Sequence, residues 1–87
     1  MTRDKMTCLA ALATLHNANS DGFWHFAAII RHAQLPRPIV RRHVRALKRA
    51  GLAEFATALC DDDGKFAGAG YRITRAGLEC VGKDDAP

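Results

Sequence analysis

Arg37, Arg41, Arg45 and Lys48 recur at intervals of four, four and three residues, and Arg42 and Arg49 stand beside that row. On a helix this spacing gathers the cationic groups on one side. A guanidinium is a planar fork of donors that keeps its charge at physiological pH, so it clamps a phosphate or reads two acceptors at once. The stretch from Gly22 to Ala53 holds seven basic residues, Arg31 being the seventh, and no Asp or Glu. The rest of the chain sets six basic residues against all nine acidic ones. A merely solvated helix face usually interleaves acids with bases. The formal net charge of +4 therefore conceals a segment of +7, the footprint of a polyanion binder.

Other chemistry finds less support. His16, His25, His32 and His43 and the cysteines Cys8, Cys60 and Cys80 show neither CxxC nor HxxxH spacing, so no metal site is expected. An odd, scattered set of cysteines argues against a disulfide framework and for a reducing compartment. With 87 residues, one domain is expected, and it leaves little room for a substrate pocket around a Cys–His nucleophile. The reading is of a protein that is not an enzyme and needs no cofactor. Cys8 to Leu15 is an apolar run behind a charged start, but Asp4 interrupts the basic region and no small-x-small cleavage site follows. The run is too short to span a bilayer. A cytoplasmic protein without a membrane partner is expected.

The basic row needs a scaffold, and the chain supplies one. Arg3 to His16 reads as a first helix with Thr2 as its N-cap; Met6, Leu9, Ala10 and Ala13 form its apolar stripe, widened by Leu12 and Leu15. Asn17 to Gly22 is a loop. Phe23 and Trp24 suit a very short strand. Phe26 to Ala33 reads as a second helix burying Phe26, Ile29, Ile30 and Ala33. Pro36 and Pro38 bar its continuation, and Pro38 suits the first turn of a third helix running to Ala50. Gly51 stops that helix. Val40, Val44 and Leu47 form its apolar stripe, opposite the arginines. Ala53 to Leu59 and Gly70 to Thr74 read as paired strands, with Phe55 and Leu59 on one face and Asp63-Gly64 in the turn. Arg75 to Val81 suits a short last helix capped by Thr74. The domain is expected to span residues 1–82, with 83–87 as a frayed tail.

The segment Val40-Arg41-Arg42-His43-Val44-Arg45-Ala46-Leu47-Lys48-Arg49-Ala50-Gly51-Leu52 resembles the recognition helix and exit of bacterial and phage winged helix-turn-helix regulators. Tyr71-Arg72-Ile73-Thr74-Arg75-Ala76-Gly77 resembles the last wing strand and following helix of the same families. The match covers about residues 6 to 81. It implies an α+β fold: a three-helix core, a β-hairpin wing and a short final helix. It also implies sequence-dependent binding of double-stranded DNA by a small transcription regulator of repressor type, usually a dimer. A helix divided this way suits the major groove. Arg37, Arg41, Arg42 and Arg45 then fall to base edges, Ile39 to a thymine methyl, and Lys48 and Arg49 to phosphates. Asn and Gln, the usual adenine readers, are missing from the helix, so direct readout should favour guanine.

One feature departs from the resemblance. The wing tip reads Cys60-Asp61-Asp62-Asp63-Gly64-Lys65, and three carboxylates repel a duplex. Either the wing points away, or Lys65 and Arg72 make its only phosphate contacts. An acidic wing also suits a protein-facing role, so the rival reading is a winged-helix interaction module with a protein partner. RNA is disfavoured, because its deep, narrow major groove excludes a helix. For a homodimer, the first helix offers Leu12 and Leu15 as a two-fold contact.

Overall fold

The computed structural model describes residues 2–18, 22–60 and 66–85. Along the chain run α1 (Arg3–Ala18), α2 (Phe26–Ala33), α3 (Arg37–Arg49), β1 (Ala53–Cys60), β2 (Phe66–Ile73) and α4 (Arg75–Asp85). The predicted turn at Asp61 to Lys65 lies outside the described residues.

Helix α1 begins where Thr2 caps it: the Lys5 N–H donates to Thr2 Oγ1 at 3.4 Å, and the Met6 N–H to the Thr2 carbonyl at 3.0 Å. It packs against α2, α3, α4 and β2. With neighbours on several sides, its buried surface is wider than one stripe. Cys8, Leu9, Ala11, Leu12, Ala13 and Leu15 are all buried, whereas Ala10 is exposed. This corrects two expectations. Ala10 does not belong to the core, and Leu12 and Leu15 are sealed inside the monomer, so neither is available to a two-fold partner.

Helix α2 ends at Gln34, whose φ of 57° is left-handed, and its N–H closes on the Ile30 carbonyl at 2.8 Å. Ile29 and Ala33 are buried, while Phe26 and Ile30 are half-buried against the core. The chain turns through Leu35 and Pro36. The Pro36 carbonyl then accepts the N–H groups of Ile39 and Val40, both at 3.0 Å. Arg37 and Pro38 form the first turn of α3, where a missing proline N–H costs nothing. Val40, Val44 and Leu47 are fully buried.

The exit of α3 is a Schellman motif. Leu52 N–H donates to the Leu47 carbonyl at 2.9 Å and Gly51 N–H to the Lys48 carbonyl at 3.1 Å. Gly51 adopts φ 81°, which any side chain would strain.

Strands β1 and β2 pair antiparallel, with Ala53 opposite Ile73, Glu54 opposite Arg72 and Phe55 opposite Tyr71; the register shifts beyond Ala56. Strand β2 starts earlier than expected, at Phe66, and ends at Ile73. The short strand expected at Phe23 and Trp24 is a single bridge. Trp24 N–H donates to the Tyr71 carbonyl at 2.7 Å and Tyr71 N–H to the Trp24 carbonyl at 2.9 Å.

Thr74 joins the two halves of the fold. Its N–H donates to the Leu52 carbonyl at 3.1 Å, and its hydroxyl donates to the Gly51 carbonyl at 2.7 Å. The same Oγ1 accepts the Gly77 N–H at 3.1 Å, capping α4. Gly77 is buried, and a Cβ there would collide with the Leu52 carbonyl and the Ile73 side chain. The Gly51-Leu52 exit and the Thr74-to-Gly77 entry are therefore one interlocked corner. Gly77→Ala is expected to cost about 1–3 kcal/mol through overpacking; chemical denaturation against wild type measures it. Helix α4 itself continues to Asp85, past the expected end at Val81. Gly82, within it, is an exposed helical glycine with open space around it; a helix tolerates one at modest cost.

Candidate nucleic-acid interface

Burial of Val40, Val44 and Leu47 fixes the rotation of α3 about its axis, and that rotation decides which residues meet solvent. Arg37, Arg41, Arg42, Arg45, Lys48 and Arg49 are all exposed, while Ile39 and His43 are half-buried. The helix is about 20 Å long at 1.5 Å per residue. Arg37, Pro38, Arg41, Arg42, Arg45 and Arg49 line one open surface along it. Arg45, Lys48 and Arg49 border an adjoining recess closed by Phe55 and Tyr71 of the hairpin. The arginine row predicted from spacing is thus one continuous surface, with Lys48 on its hairpin side.

Among the described residues, nothing pairs with the charge on this surface. Among the described residues the ion pairs are Arg72 with Glu54 and Arg75 with Glu79; none involves α3. Arg37, Arg41, Arg45 and Arg49 succeed one another at i, i+4, where like charges oppose helix formation. Arg37 also sits at the positive end of the helix dipole, while Lys48 and Arg49 suit its negative end.

The remaining predicted residues are placed differently. Arg72 lies on the other side of the hairpin from Phe55 and Tyr71, since neighbouring strand positions point to opposite faces. Its guanidinium is held by Glu54 and sits over the Phe23 ring, 4.5 Å from the centroid. It borders a separate recess with His16, Thr74 and Leu78. The structure does not bring it to the arginine surface. Lys65 lies outside the described residues. Ile39 does not line the arginine surface.

Sequence reasoning missed Phe55 and Tyr71. Tyr71 is buried and Phe55 is 41% exposed. The rings of Phe55 and Tyr71 are 4.7 Å apart at 46°, and Tyr71 lies 5.3 Å from Phe26. Alternation along β1 placed Phe55 on a face, but only the register reveals that this face adjoins α3.

Among the described residues, nucleophilic chemistry has little to work with. Burial, and then the Asp4 carboxylate, pushes the Cys8 thiol up to about 11, so it is protonated near neutral pH. Cys80 is half-buried. Among the described residues no three His, Cys, Asp or Glu cluster as metal ligands. No described helix is long and apolar enough to cross a membrane.

No protein-family model matches the sequence, and no curated protein matches it either. Solved structures do. A protein of Ralstonia eutropha, assigned provisionally to DNA binding, superposes with a TM-score of 0.76 at 22% identity, covering 99% of both chains. BpsR of Bordetella bronchiseptica, whose DNA binding is regulated by 6-hydroxynicotinic acid, gives 0.71 at 17% identity over 95% of this chain. The element order and the hairpin after α3 are shared with winged-helix neighbours.

The fold is a winged helix-turn-helix.

A point variant of MepR from Staphylococcus aureus gives 0.70 at 19% identity, again over 95% of this chain. The winged helix spans 55% of the BpsR and MepR chains. Identities this low carry the architecture alone. Within it, α2 and α3 are the helix-turn-helix, α3 is its second helix, and β1 and β2 form the wing.

Proposed function

We propose that this winged helix binds duplex DNA with sequence preference, as a small transcription regulator of repressor type, laying α3 in the major groove. The observation that supports the proposal is the run of five exposed arginines and one lysine, with no Asp or Glu among them, on the second helix of the helix-turn-helix. In this reading Arg37, Arg41, Arg42 and Arg45 reach base edges and favour guanine O6 and N7. Lys48 and Arg49 neutralise phosphates, and Ile39, half-buried, reaches a thymine methyl only from the rim. Lys65 keeps a phosphate role on the wing. Arg72, held by Glu54 and Phe23, is better suited to bracing the wing than to touching phosphate. Dimerisation on a palindromic site belongs to the proposal, through a surface other than Leu12 and Leu15.

Enrichment of binding sites from a random duplex library tests it. A recovered, guanine-containing motif, bound at least about a thousandfold more tightly than random duplex, is the expected result. Enrichment of no motif removes sequence preference and leaves a general polyanion binder. Duplex at about 100 times its Kd is further expected to raise the melting temperature by roughly 10 °C or more, because it binds only the folded form. A scan with and without DNA measures this.

A further inference from the structure

The recess beside the C-terminal half of α3 holds an unusual pairing. Arg45, Lys48 and Arg49 form one wall and the Phe55 and Tyr71 rings the other, around a volume of about 360 Å³. Phe55 is a large hydrophobic side chain left 41% exposed. It is not loosely placed: its ring rests on Tyr71, which rests on Phe26 of α2. The helix-turn-helix thus fixes where this apolar surface stands relative to the cations. A nucleic-acid backbone sets an anionic phosphate beside an apolar sugar face, and this recess sets cations beside an apolar ring.

We propose that Phe55 packs against a deoxyribose of the DNA backbone while Lys48 and Arg49 hold the flanking phosphates. The inference rests on the duplex-binding reading above and adds to it a contact that is independent of salt. Cation–phosphate contacts release counterions and set the salt slope, whereas an apolar ring against a sugar releases none. Phe55 thereby changes affinity without changing slope. Its rigid support means little freedom is lost on binding.

The test measures duplex affinity across a salt series for wild type, Phe55→Ser, Phe55→Leu and Arg49→Ala, with hydroxyl-radical footprints of each complex. Phe55→Ser is expected to bind about tenfold more weakly at every salt concentration with the slope unchanged, the scale of one lost apolar contact. A sugar protected in the wild-type footprint becomes cleavable. Phe55→Leu keeps a side chain on Tyr71 and serves where the serine variant folds poorly; it is expected to fall between the two at the same slope. Arg49→Ala is expected to flatten the slope by about 0.9. Unchanged affinity and footprint in both Phe55 variants overturn the proposal, as does a loss that comes with an altered slope. A larger loss on single strands than on duplex overturns it in favour of base stacking. Wild type that fails to bind duplex at low salt overturns the DNA reading itself, and the Phe55 contact with it.

Discussion

Arg41→Ala and Arg45→Ala are each expected to weaken binding to the preferred duplex by about 1–3 kcal/mol, about fivefold to more than a hundredfold in Kd. Both side chains are exposed on the middle of α3, on the surface they share with Arg37 and Arg42. A guanidinium that reads guanine loses two hydrogen bonds at once when truncated, and the base edge it served is left unpaired. The losses should concentrate on particular base pairs, so each variant should discriminate less at one position of the site. Lys48→Ala, beside them, should weaken all sequences alike. Titration of wild type and variants against the preferred site and single-base variants of it checks this. If neither arginine matters, α3 does not face the groove. Folding is not at stake in these variants, since the side chains contribute nothing to the core.

Val44→Asp is expected to abolish folding. Val44 is fully buried in the same stripe as Val40 and Leu47, and among the described residues no charged side chain is buried that could pair with a carboxylate. An unpaired buried charge costs more than a small domain can spare, given a total stability of about 5–15 kcal/mol. Even protonated, the acid leaves a desolvated polar group and a lost apolar contact. Far-UV circular dichroism should show no cooperative thermal transition. The conservative Val44→Ala should retain one, at a cost of a few kcal/mol from the cavity. A normal melt for the aspartate variant would contradict the placement of α3, and with it the solvent exposure of the arginine row.

Much of this fold was legible because its punctuation is chemical. Pro36 and Pro38 bound α3 at one end and Gly51 at the other, so its extent was readable to within a residue. Its two faces followed from the spacing of Val40, Val44 and Leu47. Helix α1 was less legible: periodicity finds a stripe, but a helix with neighbours on several sides buries more than a stripe. That is why Leu12 and Leu15 looked available to a partner and Ala10 looked internal. The hairpin was the least legible part. One register step moves every side chain to the other face, and the sequence does not state the register. The charge of Arg72 therefore points to a DNA contact, although its pairing opposite Glu54 turns it away from α3. Phe55 reads as ordinary strand packing for the same reason. The Thr74–Gly77 motif was recognised by resemblance, whereas its cause, the interlock with Gly51 and Leu52, is visible only in three dimensions.

The winged helix as a groove-binding, phosphate-neutralising protein is tested most directly by fluorescence anisotropy against duplex DNA across a salt series. The account predicts binding at low salt that weakens steeply, with a log–log slope near −0.9 for each phosphate contacted. Lys48 and Arg49 alone then predict a slope of about −2 per protomer, with the arginines that reach phosphate adding to it. No binding at low salt, or affinity indifferent to salt, would contradict the account and leave the basic helix to an acidic protein partner.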